Sequence, residues 1–231
     1  MVERGTPGSV DSEQLRERLE SVRARIAAAG GRDVEVVAVT KALGVDAAMA
    51  ARDAGLVEIG ENYADELVEK AEALAASPGE PVRWHLIGGI QRRTLARLAP
   101  FVALYQSVDR SAEAEAIARH APGAAALIEV ETTGLEGRGG VPPEEVARLV
   151  DAATIAGLEV KGLMTVGPPD DEAAQHRSFA TVRALVDSLG LAVASMGMSD
   201  DFEIAVEEGS TMVRLGRVLF GPRPTRMAVS Q

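Results

Sequence analysis

Short apolar runs alternate with amphipathic runs along almost the whole chain, and this alternation limits the fold more than any other feature. The first apolar run, residues 34–40, is mostly valine, which is typical of a strand buried on both faces of a parallel sheet. Seven similar runs follow at 57–60, 82–88, 102–108, 125–131, 159–166, 191–197 and 212–216. Helical periodicity is found at 12–29, 46–54, 63–76, 91–98, 111–120, 143–156, 172–189 and 200–208.

Alternating strands and helices predict a parallel sheet. Eight such units within 231 residues favour a closed (β/α)8 TIM barrel over an open doubly wound sheet. No long linker or change of composition divides the chain. We therefore expect one barrel domain over residues 12–223, a flexible N-terminus over 1–11 and a C-terminal tail over 224–231.

The composition excludes several kinds of ligand and chemistry. There are 24 Lys and Arg against 35 Asp and Glu, a net charge of −11, which argues against binding to nucleic-acid backbones or anionic membranes. The chain has no cysteine, which excludes disulfides, thiol nucleophiles and Cys-based metal sites. No apolar run approaches the roughly 20 residues of a membrane span. A cytoplasmic enzyme or binding protein is the default expectation.

The active sites of such barrels lie at the carboxyl ends of the strands, and this rule sorts the three lysines. Lys41 directly follows the first strand, Lys161 lies near the start of the sixth, and Lys70 is expected on a solvated helix face. Lys41 is therefore either a surface or ion-pairing residue, or a desolvated amine. Desolvation lowers the pKa of an amine and allows it to form a Schiff base with an aldehyde.

The ends of the last two strands carry donors suited to an anion. Ser199 and the first amides of the following helix form one anion site, and Gly216 allows close backbone approach after the eighth strand. Arg214, within the eighth strand, is expected to point away from the apolar helix layer. The structural alternative for Asp200 and Glu203 is a capping box at the start of that helix.

Other candidates have simple structural alternatives. Asn62 follows the second strand and is either a site residue or a helix cap. His85, on the third strand, is either a packed core residue or a catalytic one. Residues 137–140 form a glycine-rich turn, for which phosphate contact and a flexible loop are the two alternatives. No cluster of His, Asp and Glu has the spacing of a metal site, so no metal is expected.

Several motifs occur in an order that resembles the pyridoxal phosphate homeostasis proteins, single-domain relatives of the alanine racemase barrel. The resemblance covers residues 12–223. The motifs that carry it are Val37-Ala-Val-Thr-Lys41, Gly60-Glu-Asn-Tyr63, Trp84-His-Leu-Ile-Gly88, Gly162-Leu-Met164, Ser195-Met-Gly-Met-Ser-Asp200, Gly209-Ser-Thr-Met-Val-Arg-Leu-Gly216 and Phe220-Gly221.

The resemblance implies a fold-type-III barrel that binds pyridoxal 5′-phosphate (PLP) as a Schiff base on Lys41, without the C-terminal β domain of alanine racemase. Arg214 would face the pyridine nitrogen, and Ser199 and the amides around Gly216 and Arg217 would hold the phosphate. The remaining implied cofactor contacts are Asn62, His85, Met164 and Met198.

The implied function is PLP homeostasis, in which the protein buffers or delivers the cofactor without robust turnover. It would be a cytoplasmic monomer making transient contact with apo PLP-enzymes. One alternative is a low-activity PLP-dependent amino-acid racemase. Another is a barrel that binds a different phosphorylated metabolite. Two loops depart from the family pattern. Residues 89–94 lack its usual Asn and Lys, and Arg138 stands where a lysine is usual.

Overall fold

The computed structural model describes residues 11–135 and 137–222, and within them eight parallel strands close into a barrel in chain order. The barrel closes where β1 pairs with β8. The eight predicted strands and the TIM-barrel architecture are confirmed. The strands are β1 (Glu35–Val39), β2 (Glu58–Glu61), β3 (Arg83–Leu86), β4 (Val102–Val108), β5 (Ala125–Glu129), β6 (Glu159–Met164), β7 (Val193–Ser195) and β8 (Met212–Leu215).

Helices surround the barrel, and all eight predicted helical segments contain one. They are α1 (Ser12–Ala28), α2 (Val45–Asp53), α3 (Ala64–Ala75), α4 (Leu95–Leu98), α5 (Ser111–His120), α6 (Val146–Ile155), α7 (Glu172–Ser188), α8 (Phe202–Glu207) and α9 (Arg217–Phe220). The short α9 was not predicted, because one turn is too short to show a period. The segments before α4 and α6 are 3-10 turns, Arg92–Thr94 and Pro143–Glu145.

Most strands end sooner than their apolar runs, because the chain leaves the sheet while it is still buried. β7 ends at Ser195, and Gly197 then adopts a φ of 92°, in the left-handed region that favours glycine. A Cβ atom at Gly197 would lie 2.8 Å from the Phe202 Cα atom. The turn after β7 is thus packed closely against α8.

The barrel interior holds a small apolar layer with polar side chains on both sides of it. The apolar layer consists of Val37, Leu104, Leu127, Met164 and Met212. The larger apolar core lies between strands and helices. Polar residues at inward-facing strand positions therefore make contacts inside the barrel.

Residues before β1 and after β8 pack together on the outside. Helix α1 contacts α2, α8 and α9, and Arg18 donates a hydrogen bond to the Leu219 carbonyl oxygen at 2.9 Å. The predicted segments 1–11 and 224–231 fall almost entirely outside the described residues. Within the described residues, no helix is both long enough and apolar enough to cross a membrane.

Candidate functional site

Arg214 is held inside the barrel by hydrogen bonds from both of its terminal nitrogens. Its Nη1 donates to the carbonyl oxygen of Ser195 at 2.7 Å and to the Ser195 Oγ at 2.8 Å, and its Nη2 donates to the Thr165 carbonyl oxygen at 2.7 Å. The guanidinium is buried inside the barrel, across the ends of β6 and β7. The prediction that Arg214 points away from the helix layer is confirmed.

Burial lowers the pKa of Arg214 to about 10, and the nearby Glu129 and Asp201 carboxylates oppose that shift. The guanidinium therefore stays charged at neutral pH. Burial also raises the pKa of Glu129, on the last position of β5, to about 6; Asp109 adds to this shift, while Arg214 and Arg138 reduce it. The inner wall of the barrel mouth thus combines a fixed cation with a carboxyl group whose pKa is raised by burial.

Lys41 lies in the turn after β1, where both adjoining residues are bonded to α3. The Lys70 ammonium donates to the Thr40 carbonyl oxygen at 2.9 Å, and the Ala42 amide donates to the Glu66 Oε2 at 2.8 Å. Ala42 has a φ of 61°, a left-handed conformation that is unfavourable for an alanine. The backbone on either side of Lys41 is therefore fixed by a neighbouring helix.

The prediction that Lys70 lies on a solvated helix face is wrong. Only 2% of Lys70 is exposed, and its Nζ lies 2.5 Å from the Glu61 Oε1 and 3.6 Å from the Glu66 Oε2. The Thr40 hydroxyl donates to the same Glu61 oxygen at 2.7 Å. The acidic neighbours Glu66 and Glu69 suggested that Lys70 lies on a solvated face. However, the ammonium finds a buried partner on β2, which makes its burial tolerable.

The turns after β7 and β8 meet, as the anion-site hypothesis requires. Ser199 Oγ accepts a hydrogen bond from the Val218 amide at 3.2 Å, and Arg217 forms an ion pair with Asp200. Gly216 is the N-cap residue of α9, directly before its first residue. The Arg217 side chain is more than half exposed, so the cation lies on the outer side of this turn.

The capping box proposed for Asp200 and Glu203 is not formed. Helix α8 begins after Asp201, which makes no side-chain cap to the helix and instead accepts from the Met198 amide at 2.5 Å. Glu203 forms an ion pair with Arg25 of α1 at 2.8 Å. Asp200 and Glu203 thus form ion pairs with distant residues instead of a local helix cap.

The other predicted cofactor contacts lie at different depths. Asn62 does not cap α3, which begins after Tyr63, and the Asn62 Oδ1 is a buried atom with no hydrogen-bond partner in the described part of the chain. Met198 is exposed at the turn after β7, whereas Met164 is buried in the interior apolar layer.

His85 is the predicted site residue that does not reach the mouth of the barrel. It is fully buried, with Nε2 at 2.6 Å from the Glu58 Oε2 and Nδ1 at 2.6 Å from the Gln106 Nε2. Glu58 is the first residue of β2, so the ring points towards the amino end of the barrel. Both ring nitrogens have protein partners. These contacts favour its alternative as a packed core residue over direct contact with a cofactor.

A cavity of about 430 Å³ opens beside the turns that follow β6 and β7. Arg138, Gly167, Gln175, Met198 and Asp201 are among its lining residues. Arg138, of the glycine-rich turn, thus adjoins the ends of β6 and β7. In the other unusual loop, the Thr94 hydroxyl donates to the Gln91 carbonyl oxygen at 2.8 Å and so closes a local turn.

The sequence did not reveal several residues that shape the site, namely Thr165, Ser195, Glu129, Glu61 and Lys70. Ser195 and Glu129 occupy the last positions of β7 and β5, and that placement was the available signal. Thr165 contributes a backbone oxygen, which no sequence pattern reports. The Glu61–Lys70 pair depends on how α3 packs against the barrel.

Comparison with known proteins agrees with this geometry. Residues 10–224 match the family described as "Alanine racemase, N-terminal domain". A pyridoxal phosphate homeostasis protein of Pseudomonas aeruginosa is 38% identical over 223 residues, covering 90% of this chain and 96% of the relative. The protein of that name from Schizosaccharomyces pombe is 35% identical, covering 90% and 92%.

Solved structures show the same barrel. PipY of Synechococcus elongatus, with PLP bound, aligns with a TM-score of 0.78 and 29% identity over 90% of this chain and all of PipY. An alanine racemase of Clostridium difficile, at 17% identity and a TM-score of 0.73, shares the fold over 97% of this chain and 61% of the racemase. The chain therefore belongs to the family of pyridoxal phosphate homeostasis proteins, built on the alanine racemase N-terminal barrel.

Proposed function

We propose that this protein binds PLP at the carboxyl ends of its strands, with a Schiff base to Lys41, and that it holds and releases the cofactor for other proteins. The bound cofactor supplies an aldehyde whose carbon forms a C=N bond with a primary amine, releasing water. Its other recognisable parts are a phosphate group and a pyridine nitrogen. The proposal therefore requires an amine, an anion site and a nitrogen partner at one rim.

One observation carries the proposal, namely the register at which the barrel closes. Val37 pairs with Arg214 and Ala38 pairs with Leu215, so Lys41 leaves β1 beside the turn at Gly216. The backbone at Lys41, the Arg214 guanidinium and the turn that meets Ser199 therefore lie at one seam. Neither of the other lysines is placed in this way, because Lys70 is buried in an ion pair and Lys161 lies early in β6.

The remaining contacts suit the group. The Ser199 hydroxyl and the backbone at Gly216 and Arg217 would face the phosphate, and the buried Asn62 oxygen would gain a partner from a polar ligand. Met198 and Met164 would line the ring at two depths.

Arg214 would determine how the ring behaves. A guanidinium donates hydrogen bonds and does not accept protons, so a pyridine nitrogen facing it stays unprotonated. An unprotonated ring withdraws electrons less strongly than one paired with an acid. This favours cofactor storage over rapid turnover. Delivery to apo-enzymes, a cytoplasmic location and a monomeric state belong to the same proposal.

The test is the absorption spectrum of purified protein titrated with PLP. Wild type and Lys161→Ala, which removes the exposed lysine of β6, are expected to develop the visible band of a protein-bound Schiff base. Lys41→Ala is expected to lose it. An unchanged band in Lys41→Ala would contradict the role of Lys41, and a wild-type protein that never develops the band would favour another phosphorylated ligand.

The phosphate contacts need a separate measurement. Ser199→Ala should weaken PLP binding by about ten-fold or more, because a hydrogen bond to a charged group is worth about 1.5–3 kcal/mol, and should leave pyridoxal binding unchanged. Equal weakening of both ligands would place the phosphate elsewhere.

Slow amino-acid racemisation is a second candidate, favoured by the Glu129 carboxyl with its pKa near 6 beside Arg214. A racemase needs proton transfer on both faces of its substrate. Exchange of α-protons in deuterated water, measured across L- and D-amino acids, separates the two functions. Rapid exchange that Glu129→Gln abolishes would establish the racemase.

A further inference from the structure

A continuous line of hydrogen bonds crosses the barrel interior from Arg214 to Glu58. Arg214 Nη1 lies 2.8 Å from Ser195 Oγ, and Ser195 Oγ lies 2.7 Å from Gln106 Oε1. Gln106 Nε2 is 2.6 Å from His85 Nδ1, and His85 Nε2 is 2.6 Å from Glu58 Oε2. All five residues are buried. Below, these residues are called the interior relay.

Arg214 can only donate, and the Gln106 carboxamide oxygen faces Ser195; together these two facts set the direction of the bonds. Arginine only donates, so Ser195 Oγ accepts a hydrogen bond from it and donates one to Gln106 Oε1. The amide nitrogen of Gln106 must then donate to His85 Nδ1. His85 then accepts at Nδ1 and donates from Nε2 to Glu58. The bond dipoles thus align head to tail between a cation and a carboxylate.

The far end of the interior relay reaches the opposite face of the barrel. Glu58 Oε1 lies 3.0 Å from the Nε of Arg83, a residue whose side chain is more than half exposed. The hydrogen bond from His85 helps to hold the pKa of Glu58 below its ordinary value despite burial, and Arg83 contributes to the same shift. The relay therefore ends on an ionised carboxylate that is anchored near solvent.

We propose that Gln106 and His85 are positioning residues for the cofactor site, which act through Ser195 to fix the guanidinium of Arg214 opposite the pyridine nitrogen. This inference rests on the proposed function. The three hydrogen bonds given above for Arg214 all go to neutral oxygens. Aligned hydrogen bonds polarise one another. A serine hydroxyl that donates a hydrogen bond to Gln106 is therefore a better acceptor for Arg214. The charge of the Glu58 carboxylate thus polarises the hydrogen bond of Arg214 through the side chains between them.

The first experiment examines the relay without the cofactor. Nitrogen-15 NMR of histidine-labelled full-length protein should show His85 with Nε2 protonated and Nδ1 unprotonated. Gln106→Glu replaces the donor to Nδ1 with an acceptor, so Nδ1 should become protonated in that variant. The opposite tautomer in wild type, or no change in Gln106→Glu, would overturn the direction of the relay.

The second experiment measures the effect at the cofactor. With nitrogen-15-labelled PLP bound, Ser195→Ala and Gln106→Met should both retain the visible band but shift the pyridine nitrogen resonance. Each should also raise the PLP dissociation constant about five-fold, because one hydrogen bond is worth about 1 kcal/mol. Ser210→Ala is the matched control, since the buried Ser210 hydroxyl bonds to Ala194, Met196 and Met212 backbone oxygens outside the relay.

The outcomes separate the two proposals. If Ser195→Ala and Gln106→Met lower the melting temperature but leave the resonance and the dissociation constant as in wild type, the relay only supports the fold. If Gln106→Met does not fold, Ser195→Ala decides the question, because it removes a single oxygen. A wild-type protein that binds no PLP overturns the proposed function and this role, although the His85 tautomer would still be fixed as stated.

Discussion

The Lys70 ammonium donates a hydrogen bond to the Thr40 carbonyl oxygen at 2.9 Å, joining the middle of α3 to the residue before Lys41. A buried ion pair with Glu61 accompanies this bond. The lysine proposed to bind the cofactor is thus held in place by a second lysine that never reaches the cofactor. We therefore expect substitution of Lys41 to remove PLP binding and substitution of Lys70 to lower stability.

Lys70→Met should lower the free energy of unfolding by about 3–5 kcal/mol, because it leaves the Glu61 carboxylate buried without its partner. Urea unfolding measures this change. Lys161→Met removes an exposed lysine and should change stability by less than about 0.5 kcal/mol. The double variant Lys70→Met with Glu61→Gln should recover part of the loss. A single variant as stable as wild type would show that the pair contributes nothing.

Ala42→Gly should change stability and cofactor retention in opposite directions. Its φ of 61° costs an alanine about 1 kcal/mol, which glycine avoids, so apo protein should melt slightly higher. The backbone beside Lys41 would become less restrained, and PLP should dissociate faster. Stopped-flow release of PLP tests this. Slower release from Ala42→Gly would show that the strained turn does not help to hold Lys41.

Gly162→Ala should be among the most damaging single changes in the barrel. A Cβ atom there would lie 1.9 Å from the Val193 carbonyl oxygen, so β6 and β7 would have to separate. We expect a loss of about 2–4 kcal/mol by urea unfolding. Gly89→Ala is the control, because among the described residues no atom other than those of its chain neighbours lies within 4 Å of the added methyl. Equal stability of the two variants would contradict the packing at β6.

The Glu113 carboxyl should make stability depend on pH. Burial raises its pKa to about 7, and the Asp109 carboxylate adds to this shift. The folded protein therefore keeps this proton to higher pH than the unfolded chain does. The stabilising contribution is complete below the ordinary glutamate pKa and is lost as pH rises through about 7.

Glu113→Gln removes that dependence. At pH 8 it should be more stable than wild type by up to about 3 kcal/mol, and at pH 4 the two should agree. Thermal melting across this range measures the difference. Glu115→Gln, on the exposed face of the same helix, should follow wild type. A stabilisation by Glu113→Gln that is equal at both pH values would exclude titration as its cause.

The sequence predicted the barrel well because the signal for each strand is local. Every buried strand carries its own apolar run, and all eight were found. The sequence also placed Arg214 inside the barrel and Lys41 at its rim. Contacts between distant elements were not predictable in the same way. The sequence placed Lys70 on a solvated face, but the packing of α3 against β2 buries it. It also predicted a cap from Asp200 and Glu203, which instead form ion pairs with Arg217 and Arg25.

His85 shows the same limit for a predicted site residue. Its position on β3 was correct, but the direction of its ring depends on Glu58 and Gln106, which lie on two other strands. A motif fixes which residue is present and not which end of the barrel it faces. The register between strands supplies that information.

The pairing of β1 with β8 brings the first and last strands of the sheet together. During synthesis, Lys41 leaves the ribosome long before Arg214 and Gly216 exist. A nascent or truncated chain without β8 therefore carries the amine but not the groups that would hold the ring and the phosphate beside it. Tight binding of PLP at the proposed site would therefore come late in synthesis, and bound PLP would report that the barrel has closed.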